Sequence, residues 1–178
     1  MNLFYFSEDV EENAKQHCDK YSVKMVVEYT QLLSTAHRVL DGTPVRARKG
    51  NRTKTIYQLN DFRDKLLYSA THINHPVAKW VRQSHSNYFY LVQLLDHLHR
   101  EYEYRYGRVH KSKTLLARLR GLPLNIPYGD FTNPALAMPD EYKTSSATES
   151  YRKYFIGEKS HIASWKNRNV PYWYKGVS

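Results

Sequence analysis

Lys20, Lys24, Glu28, Gln31, Thr35 and Arg38 follow one another at steps of four, four, three, four and three, the spacing that stacks side chains on one face of a helix. Met25, Tyr29 and Leu32 widen the apolar surface on the flanks of this stripe, so a helix packed on both sides turns the polar strip into a cleft. A carboxylate held among cations in such a cleft can give and take protons, which makes Glu28 the candidate acid or base. The same residues also read as an ordinary solvated face, with a Lys24 and Glu28 ion pair contributing about 0.3 kcal/mol.

Two further groups of cations lie outside this helix. Arg46, Arg48, Lys49, Arg52 and Lys54 fall within TPVRARKGNRTKTIYQLN, residues 43–60, whose turn formers predict a mobile basic loop. Farther on, Tyr88, Leu91, Val92, Leu95, Leu98 and Tyr102 recur at three- and four-residue steps, as one buried helix face requires. Gly107 ends that helix as a left-handed cap. Around the cap, Arg105, Arg108, His110 and Lys111 alternate with Tyr102, Tyr104 and Tyr106. Cations among aromatic rings suit phosphates and stacked bases, although cations also settle at helix C-termini for the sake of the helix dipole. With Lys20, Lys24, Gln31 and Arg38 these residues form the candidate nucleic-acid or phosphate contacts.

Other chemistries find less support. His72 and His75 stand three apart, His97 and Glu101 four apart, and His17 adjoins Cys18. A zinc site needs three or four grouped ligands, and there is neither a paired-cysteine motif nor HExxH, so no metal is expected. His75, just before Pro76, reads as a cap or core histidine, and Cys18 as a lone buried thiol. P-loop, GxGxxG and GxSxG motifs are absent from the sequence, and no cofactor is expected.

The elements that must carry these residues are mainly helices. Ser7 is a plausible N-cap for a short helix through about Gln16, and a longer one follows from about Asp19 to Leu40, with Val23, Val26, Val27, Leu33 and Leu40 as its apolar side and Asp41-Gly42 as its stop. Two helices occupy the stretch from Pro76 to Tyr106, with Ser84 or Ser86 at the joint. A short helix is expected from Lys113 to Arg120. The stretch 121–146, with Pro123, Pro127, Pro134 and Pro139, reads as a long, ordered or partly ordered loop. A last helix from about Ala147 to Lys166 precedes the C-terminal PYWYK. The expected fold is mostly α, a compact single-domain helical bundle over residues 1–178 with long ordered loops.

Composition agrees with a polyanion as partner. In 178 residues, 27 Lys and Arg outweigh 17 Asp and Glu, for a net charge of +10, which favours DNA or a nucleotide ligand. No long apolar run suggests a membrane span. One cysteine excludes an internal disulfide framework, and the first residues lack the pattern of a signal peptide, so a cytoplasmic location is expected.

With HCDK, QLLSTAHRVLDG, NHPVAKWVR, RYGRVHKS and MPDEYK, the chain resembles a group of uncharacterised phage-encoded proteins over most of its length, which implies the cytoplasm of a host cell. More remotely it is similar to the pyrimidine-dimer DNA glycosylase and abasic-site lyase family. That likeness rests on the chain start leading into a helix with Glu28-Tyr29, the HP helix pair ending in RYG, and Trp173-Tyr174-Lys175. The resemblance implies a small α-helical enzyme in which the α-amine at the N-terminus attacks the sugar C1′ to form a Schiff base while a helical glutamate assists. Carried onto this chain, Glu28 takes the glutamate role, and Arg38 and the Arg46 to Lys54 cations hold phosphates around a flipped nucleotide. Asn2 is bulkier than residues that usually permit removal of the initiator methionine, so the amine of Met1 itself has to serve. An α-amine, with a pKa of about 7.7 to 8.0, is partly unprotonated near neutrality without the large shift a lysine needs. Two other readings remain open from the residues alone: a protein that sequesters a nucleotide or small phosphorylated ligand, and an enzyme that modifies the bases of phage DNA.

Overall fold

The computed structural model describes residues 2–49 and 52–174. Its helices are α1 (Val10–Gln16), α2 (Asp19–Asp41), α3 (Arg63–Leu66), α4 (Pro76–Val81), α5 (His85–Tyr106), α6 (Lys113–Leu119) and α7 (Ala147–Lys159). Two strands, β1 (Thr43–Lys49) and β2 (Arg52–Gln58), pair antiparallel, and short 3-10 turns occupy Asp140–Tyr142 and Ser160–Ile162. The fold is therefore mostly helical with one small sheet.

Long helices α2 and α5 pack against each other and form the frame, with α1, α4 and α6 against them. α5 begins where the Ser84 side chain accepts the Asn87 amide and ends at Gly107 with φ 65°, the left-handed conformation that glycine adopts without steric cost. Its predicted inner face is the observed one: Tyr88, Leu91, Val92, Leu95, Leu98 and Tyr102 are all buried. α4 starts at Pro76, where a missing N–H costs nothing, and His75 caps it by accepting the Val77 amide.

The inner face of α2 differs from the expectation. Val23 and Val27 are 43% and 39% exposed, whereas Tyr21, Met25, Val26, Tyr29, Leu32 and Leu33 are buried. The larger aromatic and aliphatic side chains bury more area per residue and so decide the helix rotation. Phe4 stacks on Tyr21 with ring centroids 4.1 Å apart, and this contact pulls the face toward the chain start. α1 begins at Val10, with Asp9 rather than Ser7 as N-cap.

Residues 43–49 and 52–58, which the sequence reads as part of a basic loop, are strands. They form a β-hairpin in which Val45 pairs with Ile56, Arg46 with Thr55 and Arg48 with Thr53. β-branched residues on both arms favour the pleated conformation despite the intervening charges. The last helix is also shorter than expected, ending at Lys159 before the 3-10 turn.

Leu3, Phe4, Tyr5 and Phe6 are buried at the centre, so the chain start is core. Phe6 stacks on Trp173 with centroids 5.0 Å apart, and the Trp173 indole donates to Gln16 Oε1 at 2.7 Å. Beginning and end of the described chain thus pack together. Most of 121–146 lacks regular structure but is fastened to the helices. Trp80 donates to Thr132, Asn87 exchanges hydrogen bonds with the same residue, and the Tyr151 hydroxyl donates to the Ala135 carbonyl at 2.6 Å.

Candidate functional site

α2 carries Glu28 on its outer side, with 16% of the side chain exposed. Glu28 Oε2 accepts the backbone N–H of Asn2 at 3.2 Å, and the Lys24 ammonium lies 3.3 Å from Oε1. The segment beginning at Asn2 is held firmly against the helix. Asn2 Nδ2 donates to the Ala137 carbonyl at 3.1 Å, and the Phe4 amide donates to the Tyr29 hydroxyl at 3.2 Å. The Phe6 amide donates to Asn13 Oδ1 at 2.9 Å, and Arg152 donates through Nε and Nη2 to the Phe6 carbonyl. These bonds fix the Asn2 nitrogen relative to Glu28 by way of the core.

His75 adds a second titratable group. Its Nδ1 accepts from Val77 at 3.2 Å, so the neutral ring carries its proton on Nε2. Burial lowers its pKa, the nearby His72 lowers it further, and the Glu28 carboxylate opposes the shift. The loop holding both histidines is tied to α2, because the Thr71 amide donates to Thr35 Oγ1 at 3.3 Å. His72 itself has φ 48°, an uncommon conformation for a residue with a side chain.

One turn toward the start of α2, an open groove of about 730 Å³ is lined by Asp19, Lys20, Val23, Lys24, Tyr106 and residues His161 to Ser164. The exposed Val23 supplies an apolar surface there. The Lys166 ammonium sits 5.7 Å above the Tyr106 ring, a cation and π geometry at the groove's edge. The Tyr106 hydroxyl donates to the Asp19 carbonyl at 3.2 Å, which joins the end of α5 to the start of α2.

The candidate contacts divide into those that face outward and those the fold consumes. Lys20, Lys24, Arg46, Arg48, Lys54, Arg108 and Lys111 are exposed, and Gln31 is half-buried near Glu28. Arg38 is not available to a phosphate. Its Nε donates to Tyr68 O, its Nη1 to Tyr57 O and Asp64 Oδ1, and its Nη2 to Asp64 O and Leu67 O. All five guanidinium N–H groups are thereby satisfied within the protein. Arg105 is likewise an internal clamp, with its side chain fully buried. It binds Glu101 and Asp19 and the carbonyls of His17 and Lys15, because the inward turn of α5 at that position directs the side chain under α1. His110 is half-buried and pairs with Ser112 at the start of α6, with Nδ1 2.8 Å from Ser112 Oγ.

Met1 lies outside the described residues, as do Lys175 and the side chains of Lys49 and Arg52. Among the described residues no group of three His, Cys, Asp or Glu comes together that could hold a metal ion. Cys18 is buried, and burial pushes its thiol up to about 11, which leaves it a poor nucleophile. No described helix is long and apolar enough to cross a membrane.

Sequence reasoning missed Asn2 as the neighbour of Glu28. His75 also belongs to this environment, a placement the HINHP spacing does not reveal. The available signal was the run of large apolar residues from Leu3 to Phe6, which forces the chain start into the core and so beside whichever face of α2 is only partly buried.

Comparison with family models, with curated proteins and with solved structures finds no match to this chain.

Proposed function

We propose that this protein acts on DNA as a glycosylase and abasic-site lyase, with the amine at the chain start as nucleophile and Glu28 as proton carrier. The observation that carries the reading is the 3.2 Å hydrogen bond from the Asn2 backbone nitrogen to Glu28 Oε2. The Met1 amine is three covalent bonds from that nitrogen. If Met1 is removed, the Asn2 nitrogen is itself the amine beside the carboxylate. Either way the nucleophile lies within three covalent bonds of a nitrogen that donates to the helical carboxylate, and covalent catalysis by an activated amine needs such a base at hand.

In the reaction, the unprotonated amine attacks C1′ of the open-chain sugar aldehyde. Glu28 carries the two protons that nitrogen loses to the aldehyde oxygen in turn, the first giving a hydroxyl and the second the water that leaves as the imine forms. Glu28, again a carboxylate, then removes a proton from C2′. The C3′–O bond breaks, and the 3′-phosphate leaves with its electron pair. Lys24, beside Glu28, and Lys20, about two turns from Glu28 toward the start of α2, are exposed and neutralise backbone phosphates, and the excess of cations over the whole chain draws DNA to the surface.

Incubation of untagged protein with abasic duplex DNA and borohydride tests this directly. Reduction of the imine gives a stable crosslink, and peptide mapping is expected to find it on the first residue. DNA binding without a crosslink would move the reading to base modification. The groove lined by Lys20, Lys24 and Tyr106 supports a second reading, capture of a nucleotide or small phosphorylated ligand. Copurification of an ultraviolet-absorbing small molecule, with no DNA binding, would favour it.

A further inference from the structure

We infer that the β1–β2 hairpin is a ribbon that enters the major groove of duplex DNA. This rests on the DNA-acting reading above and adds to it a docking element and a mode of contact. Beyond its base, the hairpin's side chains lie largely at the surface. Arg46, Arg48, Thr53, Lys54 and Thr55 are exposed, and even the apolar pair Val45 and Ile56 are 39% and 40% exposed. A two-stranded hairpin in water has little stability of its own, so one that leaves both faces open has the form of an element shaped for a partner.

Charge identifies the partner class. Between Thr43 and Asn60 there are five Lys or Arg residues and no Asp or Glu. Cross-strand partners share a face, so the register puts Arg46 and Thr55 beside Arg48 and Thr53 on one side, and Ala47 with Lys54 on the other. The first face carries arginines and threonines, whose groups suit guanine O6 and N7 and the thymine methyl on major-groove base edges. Lys54 on the opposite side is left to the phosphate walls.

Size selects the groove. Strands about 4.8 Å apart, with side chains on both faces, make a ribbon close to 10 Å across. The B-DNA major groove, about 12 Å wide, admits such a ribbon, and the minor groove, about 6 Å wide, does not. Seven residues per strand give a reach of about 23 Å at about 3.3 Å per residue.

The base of the ribbon is rigidly set on α2. Arg38 Nη1 donates to the Tyr57 carbonyl at 2.9 Å and to Asp64 Oδ1 at 2.7 Å. Arg38 is ten residues beyond Glu28 on the same helix, so the clasp lies about 15 Å along the helix from Glu28. A ribbon anchored there fixes the register of a duplex relative to the carboxylate, while Arg38 serves the DNA only by holding the hairpin.

The test compares the full chain with an Arg46→Ala, Arg48→Ala, Lys54→Ala variant on an undamaged, guanine-containing duplex, with circular dichroism to verify the fold. Dimethyl sulfate footprinting is expected to show guanine N7 protection by the parent and its loss in the variant. Anisotropy titrations across salt are expected to give about tenfold weaker binding at moderate salt, with a log–log slope shallower by about 1, as for the one phosphate-contacting cation lost, Lys54. Protection of adenine N3 instead of guanine N7, or equal binding to duplex RNA, whose deep major groove excludes side chains, would overturn groove entry. Unchanged affinity and slope in the variant would overturn the ribbon altogether. Because every readout is binding to undamaged DNA, a failed borohydride crosslink counts against the lyase reading alone.

Discussion

The hydroxyl of Tyr29 lies 2.8 Å from Nε2 of His17 while accepting the Phe4 amide at 3.2 Å. His17 Nδ1 faces the Asn13 carbonyl at 2.7 Å. A carbonyl only accepts, so the ring carries its proton on Nδ1 and Tyr29 donates to Nε2. One buried relay thus joins the end of α1, the middle of α2 and the chain start that faces Glu28. Burial holds the pKa of His17 at about 4, and His37 and His99 are also held at about 4 by burial.

Acid is therefore expected to unfold the protein through these histidines. Their unfolded pKa is about 6.5, above the folded value, so between the two the unfolded chain binds more protons. The stability is fully present above about pH 6.5 and is lost as pH falls toward 4. A shift of this size for one histidine corresponds to about 3 kcal/mol at most. Thermal melts by circular dichroism should give a Tm that is level from pH 7 to 8 and drops steeply below 6.5. A Tm unchanged down to pH 4.5 would contradict the buried neutral state.

Glu28→Gln is expected to remove most borohydride crosslinking while leaving the fold intact. The glutamine side-chain oxygen still accepts the Asn2 amide, and the site is partly open to solvent, so little stability is lost. Loss of a general acid or base lowers rates by about 100- to 10,000-fold. Single-turnover trapping on abasic duplex measures this. A crosslinking rate within threefold of the parent would remove Glu28 from the mechanism.

The helical frame was legible because its signals are local. Pro76, Ser84 and Gly107 mark ends by backbone chemistry, and the stripe from Tyr88 to Tyr102 marks a face by period. The hairpin was obscured because turn formers and charge also describe a loop, and strand pairing between Val45 and Ile56 is not visible in a local window. Around Glu28, the stripe identified the carboxylate but could not separate Lys24, which stays at the surface, from Arg38, which is drawn inside, just as the cations around Gly107 did not separate exposed Arg108 from buried Arg105. That distinction depends on carbonyls brought from distant segments, such as Tyr57, Tyr68 and His17.

Arg38→Ala and Arg46→Ala are expected to behave in opposite ways. Removing Arg38 takes the shared donor from the carbonyls of Tyr57, Asp64, Tyr68 and the buried Leu67, and leaves the Asp64 carboxylate with the Leu59 amide, a loss of about 3 kcal/mol. Arg46 is exposed on the ribbon, so its removal should change stability by less than about 0.5 kcal/mol and act on DNA affinity instead. Urea denaturation of the two variants separates these roles. Equal midpoints would show that the Arg38 clasp does not hold the loop it joins.

Gly42 is expected to resist even alanine. Its φ of −92° is open to any residue, so the constraint is space. A Cβ there would lie 2.5 Å from the Arg38 carbonyl oxygen and 3.1 Å from the Gln58 carbonyl oxygen. Both neighbours are backbone, one on α2 and one at the foot of β2, and relieving the overlap means moving the hairpin away from the helix. Gly42→Ala should cost about 1 to 3 kcal/mol, as overpacking does, and weaken duplex binding by displacing the ribbon. Gly121→Ala is the control, because its added Cβ would meet the Arg118 carbonyl oxygen at an ordinary 3.4 Å. Chemical denaturation and anisotropy on both variants check the claim. A Gly42→Ala protein as stable and as tightly bound to duplex as Gly121→Ala would mean that the ribbon does not depend on this close approach.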